Sequence, residues 1–133
     1  MHLLLLFSIS IITFSSLAIV STTNETAFAQ KLNCNDSTNL NQSQMNECAY
    51  LFYQSEDKKL NQAYKKVVPT LPASRKQKLI AAQQAWIKFR DASCDFERSE
   101  TEGGSISPLI YYGCMQQLTK VRTGELINYL SPN

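Results

Sequence analysis

The stretch that decides the fold runs from Leu79 to Cys94 and reads LIAAQQAWIKFRDASC. Its apolar residues recur at steps of three and four, which places them on one side of an α-helix. Two polar residues, Gln83 and Arg90, interrupt this apolar stripe. The stretch therefore predicts an amphipathic helix with a polar intrusion. The full stripe consists of Leu79, Ala82, Gln83, Trp86, Phe89, Arg90, Ser93 and Cys94.

The sequence before this stretch predicts an earlier helix, from about Ser43 to Val68. Asn41 can cap its start, and Gln44 is the reciprocal partner that a capping box requires. Pro69 and Pro72 end the helix, because proline disfavours the helical conformation of the residue before it. Its apolar stripe contains Met45, Cys48, Ala49, Phe52, Leu60, Ala63, Tyr64, Val67 and Leu71.

The remaining boundaries predict a second and a third helix separated by a loop. Ser74 and Gln77 match a capping box at the start of the second helix, whose pattern fades after Phe96. The residues 97–107 contain Gly103-Gly104 and predict a loop. Ser107 then reads as the cap of the third helix, with proline at its first position. The stripe of that helix contains Ile110, Cys114, Leu118, Val121, Arg122, Leu126 and Tyr129.

The predicted fold class is all-α, a small antiparallel bundle of about three helices stapled by two disulfides. Helices joined by short links pack antiparallel, so the four cysteines gather at one end of the bundle. An even number of cysteines in a small exported domain indicates disulfides, and the spacing leaves three pairings open. The alternative is a zinc site, which the wide gaps disfavour. The cysteines are Cys34, Cys48, Cys94 and Cys114.

The N-terminal segment predicts an export signal. Residues 3–20 are almost wholly apolar and carry no charge, and Ala27-Phe28-Ala29 offers the small residues that a signal peptidase accepts. We predict cleavage after Ala29, which divides the chain into a signal peptide, 1–29, and a helical domain, 30–133. The alternative is an uncleaved membrane anchor, since the apolar run approaches the length of a spanning helix. We expect no stable membrane insertion after cleavage.

Charge and composition exclude several classes of function. The chain has 13 basic and 11 acidic residues and a net charge of +2. Loss of Glu25 with the leader would raise the charge to +3, which is too mild to indicate a nucleic-acid binder. The only histidine, His2, would also leave, so no Ser-His or Cys-His pair and no histidine-ligated zinc remains. We predict no catalytic residue, no metal and no cofactor.

Polar residues on the helix stripes form one candidate group. A buried guanidinium needs a partner, because an unpaired buried charge costs several kcal/mol. We favour an internal network that fixes helix register over a functional polar site between the helices, because arginines without a histidine or lysine base suit structure or anion binding. The candidate network consists of Asp57, Tyr64, Gln83, Trp86, Arg90, Asp91, Arg122 and Glu125.

A second candidate group is an acidic loop. Residues 58–90 hold nine bases and no acid, whereas residues 91–102 hold five acids and one base. The loop could meet a cationic partner, or the two stretches could be solvated faces of opposite sign. The carboxylates lack an apolar pocket that would raise a pKa for glycoside hydrolysis. The candidate contact residues are Asp95, Glu97, Glu100, Glu102, Gly103, Gly104 and Ser105.

Taken together, these residues resemble the LprI-like lysozyme-inhibitor domain family. The resemblance covers about Cys34 to Leu130 and includes the four cysteines, residues 45–49 (MNECA), 57–64 (DKKLNQAY) and 82–91 (AQQAWIKFRD), and the final Arg122 with Glu125-Leu126. It implies a helical domain exported to the periplasm or surface of a bacterium. It further implies non-covalent blockade of a lysozyme-like hydrolase, such as a c-type lysozyme. The alternative is an envelope adaptor or structural module that binds another exported protein or a cell-wall component.

Overall fold

Three α-helices account for most of the residues 32–36 and 38–130, which are those that this computed structural model describes. No strand occurs among them, and the predicted all-α fold is confirmed. The predicted signal peptide, 1–29, lies outside the described residues. The helices are α1, Gln42–Val67, α2, Ala73–Ser99, and α3, Ser107–Asn128, with a short 3₁₀ turn at Val68–Thr70.

The start of α1 is the capping box that the sequence predicts. The Gln44 N–H donates to the Asn41 side chain at 3.0 Å, and the Asn41 N–H donates to the Gln44 side chain at 2.9 Å. These two bonds satisfy donors that the first turn of a helix leaves free. At the other end the 3₁₀ turn contains Pro69, and the chain becomes extended at Leu71.

The predicted caps of α2 and α3 are wrong. The Pro72 carbonyl already accepts from the Lys76 N–H at 2.9 Å, so α2 begins before Ser74 and no side chain caps it. The Ile106 carbonyl likewise accepts from the Ile110 N–H at 3.2 Å, and Ser107 is the first helical residue, buried. In both helices a backbone carbonyl one or two residues earlier opens the first turn.

The bundle places α3 beside both other helices. Cα atoms approach within 8 Å between α1 and α3 and between α2 and α3, but not between α1 and α2. Near the start of α1, the Asn46 amide donates to the Ser105 carbonyl just before α3, at 2.9 Å. Farther along, α1 packs against Leu126 near the end of α3. α1 and α3 therefore run parallel, and α2 runs antiparallel to them.

Two disulfides close one end of this bundle. Cys34 bonds to Cys48, which joins the lead-in to the start of α1. Cys94 bonds to Cys114, which joins the end of α2 to the start of α3. The predicted two disulfides are thus confirmed, and the structure selects one of the three pairings.

The main apolar cluster lies toward the other end. Its buried members are Leu60, Ala63, Val67, Leu79 and Leu126, and Tyr64, Val68, Leu71 and Trp86 pack against them.

The core face of α3 differs from the prediction. Met115, Thr119, Thr123 and Leu126 are buried, whereas the predicted Val121 is 57% exposed. Two threonines can face the core because their hydroxyls are hydrogen-bonded: Thr123 donates to the Thr119 carbonyl at 2.8 Å, and Thr119 accepts from Arg90. Of the stripe that the sequence assigned to the core, Leu126 is buried, whereas Val121 and Tyr129 are exposed.

Candidate functional site

The acidic turn between α2 and α3 is a tight, exposed segment of the chain. We define it as Glu100–Ser105. The Gly104 N–H donates to the Thr101 carbonyl at 2.9 Å, and the Ser107 N–H donates to the Gly104 carbonyl at 3.1 Å. Gly103 has φ +76°, a conformation that side chains rarely adopt. A Cβ at Gly104 would lie 3.0 Å from the Thr101 carbonyl oxygen, so both glycines suit this geometry.

Several contacts hold the acidic turn in place. The Cys94–Cys114 disulfide ties the helices on either side of it. The Asn46 amide reaches across from α1 to the Ser105 carbonyl. Just before the turn, Arg98 lies 5.1 Å from the centre of the Tyr111 ring on α3, in cation–π geometry. The turn is therefore anchored to all three helices.

Two of the residues predicted to lie in the contact loop belong to a helix. Asp95 and Glu97 are exposed residues of the last turns of α2, which continues to Ser99. Asp95 pairs with Arg98 one turn later, at 2.7 Å. Because exposed charged residues support a helix without an apolar stripe, the end of the stripe does not mark the end of the helix. The other five predicted residues do lie in the turn: Glu100, Glu102, Gly103, Gly104 and Ser105.

The predicted polar residues fall into two groups, and the first surrounds Arg90. Its guanidinium is buried and lies 2.9 Å from the Asp91 carboxylate and 3.5 Å from that of Asp57 on α1. It also donates to the Thr119 hydroxyl on α3 at 3.3 Å. One side chain thus connects all three helices, even though the backbones of α1 and α2 stay apart.

The second group surrounds Arg122. Its guanidinium donates to the buried Gln83 side chain on α2 at 3.0 Å and to Glu125 one turn later at 2.6 Å. The Trp86 ring joins the two groups, since it lies 5.1 Å from the Arg90 guanidinium and 6.0 Å from that of Arg122.

Tyr64 lines one pocket with Asp57, Gln83 and Arg90. It packs against the apolar cluster of Leu60, Ala63 and Val67. No buried side-chain nitrogen or oxygen in the described part of the chain lacks a hydrogen-bond partner. Such full satisfaction is typical of a network that fixes packing rather than of an open site.

Sequence reasoning missed four tyrosines beside this network. The Tyr112 ring lies 5.0 Å from Tyr50, 6.0 Å from Tyr53 and 5.2 Å from Tyr111. Tyr53 also lies 5.7 Å from the Arg90 guanidinium. The position of Tyr53, one helical turn before Asp57, could have indicated from the sequence that Tyr53 lies beside the network.

The electrostatics of these tyrosines follow from their burial. Burial raises the pKa of Tyr53, against the opposing effect of the Arg90 charge. Burial likewise raises the pKa of Tyr111, with the Asp91 carboxylate adding to the effect. Both phenols therefore stay protonated at neutral pH.

No arrangement of metal ligands appears in residues 32–36 and 38–130, since they bring no three of His, Cys, Asp and Glu together. What the described residues do offer is an anchored acidic turn on a cross-linked helical body.

A family model and one relative show what the chain is similar to. A family model described as lysozyme inhibitor LprI matches residues 34–126. The chain belongs to the LprI family. The match spans both disulfides, α1, α2, the acidic turn and α3 as far as Leu126.

One relative of this LprI-family chain is a bacterial protein. An uncharacterised protein of Rhizobium meliloti (strain 1021) is 35% identical over 100 residues, which cover 65% of this chain and 72% of that protein. No solved structure matches the chain. Among the described helices, none is long and apolar enough to cross a membrane. Two disulfides in a small domain are characteristic of proteins outside the cytosol.

Proposed function

We propose that this protein inhibits a lysozyme-type hydrolase by binding it non-covalently and blocking its cleft, with the acidic turn as the contact. The observation that carries the proposal is the anchoring of Glu100–Ser105 by a disulfide, a cation–π contact and a hydrogen bond to α1. Membership of the LprI family supports a lysozyme as the partner.

Local charge favours this contact. Lysozymes of the animal type are strongly basic, whereas this chain has a net charge of +2, which would not attract them. Screening limits electrostatic attraction to about 8 Å at physiological ionic strength, so the residues nearest the partner matter most. Glu97, Glu100 and Glu102 are exposed there and supply the required negative charge.

The turn also offers hydrogen-bond donors. Lysozyme cleaves its substrate with two carboxyl groups, so a blocking segment needs donors as well as charge. The N–H groups of Gly103 and Ser105 donate to no backbone carbonyl within the described residues. The absence of side chains at Gly103 and Gly104 lets the backbone approach a cleft closely. The acidic side chains would then contact the basic rim.

Rigidity contributes to affinity in this proposal. Binding a flexible loop costs conformational entropy, whereas a loop held in its bound shape avoids much of that cost. The Cys94–Cys114 disulfide closes the segment that contains the turn. We further propose that the chain is secreted or periplasmic, with residues 1–29 removed as a signal peptide. Such export is what an encounter with lysozyme outside the cytosol requires.

A lysozyme turbidity assay with the purified exported protein tests the proposal. We expect inhibition by the wild type and a markedly weaker effect from the triple variant Glu97→Gln/Glu100→Gln/Glu102→Gln. The matched control is Ser74→Lys/Gln77→Lys/Asn128→Lys, which changes the net charge equally at exposed positions at the other end of the bundle. The control should inhibit like the wild type.

Two results would contradict the proposal. One is the absence of inhibition at large molar excess against several lysozyme classes. The other is equal loss of inhibition in the Gln variant and the Lys control, which would point to net charge rather than to the turn.

A second candidate function is an adaptor that binds another exported protein through its helix faces. It is favoured by the exposure of Phe89 and Phe96 on α2. Pull-down from envelope extract distinguishes the two candidates. If reversal of the acidic turn, Glu97→Lys/Glu100→Lys/Glu102→Lys, leaves all binding intact, the adaptor function is the better one.

A further inference from the structure

An apolar seam runs along α2 without a partner in the described chain. We define the α2 seam as Ala82, Ala85, Phe89, Ala92 and Phe96. All five residues are exposed, and the two phenylalanines are 59% and 76% exposed. The inward face of α2 uses Leu79, Gln83, Arg90 and Cys94 instead. The seam is therefore a second apolar face of the same helix, left uncovered by α1 and α3.

The spacing of the α2 seam is that of a coiled coil. Its residues follow steps of three, four, three and four, which is the alternation of the two apolar positions in a heptad. Phe89 and Phe96 share one heptad position with Ala82, while Ala85 and Ala92 occupy the other. Large and small side chains thus alternate along the seam. When two seams pair in antiparallel orientation, the phenylalanines of one can lie opposite the alanines of the other.

We propose that two copies of this chain associate through their α2 seams in antiparallel orientation. In that alignment Phe89 packs against Ala92 of the second copy, and Ala85 packs against its Phe96. The two-fold axis repeats both layers, which gives four apolar layers in which an aromatic ring meets an alanine. Small residues opposite the rings allow the two helices to approach closely.

The charges beside the α2 seam favour a second copy of this chain as the partner that covers it. Lys88 and Asp95 are seven residues apart and flank the seam at equivalent heptad positions, which set partner choice and orientation in coiled coils. The antiparallel alignment brings Lys88 of each copy to Asp95 of the other.

The neighbouring surface of α3 extends the apolar contact. Phe89 lines a groove of about 760 Å³ together with Ile110 and Leu118. Both α3 residues belong to the stripe that the sequence predicted to be core. A second copy would cover this groove, since Phe89 lies both in it and in the seam.

Sedimentation equilibrium of the exported, purified chain tests the proposal. We expect a dimer that dissociates on dilution. The double variant Phe89→Asp/Phe96→Asp should raise its dissociation constant by at least about 100-fold. The control Leu51→Asp/Ile127→Asp replaces two exposed apolar residues outside the seam and should leave the dimer unchanged. A mass of one chain up to about 1 mM would overturn the proposal, as would a dimer that survives the seam variant.

A charge swap tests the antiparallel orientation without touching the aromatic residues. Lys88→Asp and Asp95→Lys should each weaken the dimer at least about 10-fold, because each places like charges opposite one another. The double swap restores the opposite charges and should recover most of the wild-type affinity. Failure of the double swap to recover affinity would overturn the antiparallel alignment.

Discussion

Arg90 is the residue on which the packing of the three helices depends most. Its guanidinium is buried and contacts carboxylates on α1 and α2 and a hydroxyl on α3. An arginine offers five N–H donors on three nitrogens in a rigid planar fork, so it can reach three separated partners, whereas lysine has one nitrogen on a flexible stem. This explains how α1 and α2 are linked although their backbones do not meet.

Replacement of Arg90 should therefore destabilise the fold strongly. We expect Arg90→Met to lower the free energy of unfolding by about 3 kcal/mol, since it strips Asp57, Asp91 and Thr119 of their shared partner. Urea denaturation followed by circular dichroism measures this change. Lys120→Met, at an exposed residue of α3, should leave the midpoint nearly unchanged. Equal effects of the two variants would contradict a special role for Arg90.

The burial of Tyr53 leads us to expect that the folded protein loses stability at alkaline pH. Burial raises its pKa in the folded protein, while the Arg90 charge acts in the opposite direction. The unfolded chain ionises first as pH passes the ordinary tyrosine value of about 10, so the folded state loses stability from there upward through the raised pKa. Below that pH the contribution is fully present.

Denaturation midpoints measured from about pH 8 to pH 11 check this expectation. Tyr53→Phe should flatten the alkaline decline, because it removes the ionising group. Tyr129→Phe alters a tyrosine that is 53% exposed and should leave the decline unchanged. An identical decline in Tyr53→Phe would show that other groups cause it.

At the scale of elements, the two disulfides have different consequences. They span similar separations, 14 residues for Cys34–Cys48 and 20 for Cys94–Cys114. The chain-entropy argument gives each about 3 kcal/mol of stability. Only the second one borders the acidic turn, however.

Paired Cys→Ala variants separate stability from function. Both Cys34→Ala/Cys48→Ala and Cys94→Ala/Cys114→Ala should lower the free energy of unfolding by about 3 kcal/mol. Only the latter should also weaken lysozyme inhibition under conditions where both variants remain folded. Thermal denaturation and the turbidity assay provide the two readouts. Equal inhibition by the two variants would argue against the turn as the contact.

The elements also show what the sequence could predict. Three helices, their approximate bounds and the cap at Asn41 followed from apolar spacing and local hydrogen-bonding residues, and the structure confirms them. The starts of α2 and α3 were missed because Ser74 and Ser107 resemble caps, whereas the carbonyls of Pro72 and Ile106 open the helices. Backbone geometry decides which of several neighbouring residues begins a helix, and the amino-acid sequence does not reveal that geometry.

The candidate site was predictable only in part. Acidic residues and the glycine pair indicated the turn, and interrupted stripes indicated both arginines. The partner Thr119 was missed because threonine at a core position carries no distinctive pattern. The disulfide pairing could not be derived, since four sulfurs at one end of a bundle allow three solutions. The pairing is decided by where the folded backbone places each cysteine, which the sequence does not show.

At the scale of the whole molecule, association of two copies through the α2 seam can be tested by thermal denaturation. If two copies pair through the seam, the melting temperature should rise with protein concentration, because mass action favours the associated state. Calorimetry across a wide range of concentrations measures this. The variant Phe89→Asp/Phe96→Asp should melt at one temperature throughout. A wild-type melting temperature that does not depend on concentration would contradict the association.

The disulfide pattern has a consequence for limited proteolysis of the purified protein. Neither cross-link connects α1 to α2 or α3. A single cut within Val68–Pro72 would therefore yield two covalently separate fragments, one with the lead-in and α1, the other a cross-linked α2–α3 hairpin that keeps the acidic turn. Only non-covalent contacts, such as the Arg90–Asp57 ion pair and the Asn46–Ser105 hydrogen bond, would hold them together, so nicked material would behave as a two-piece complex that comes apart on dilution.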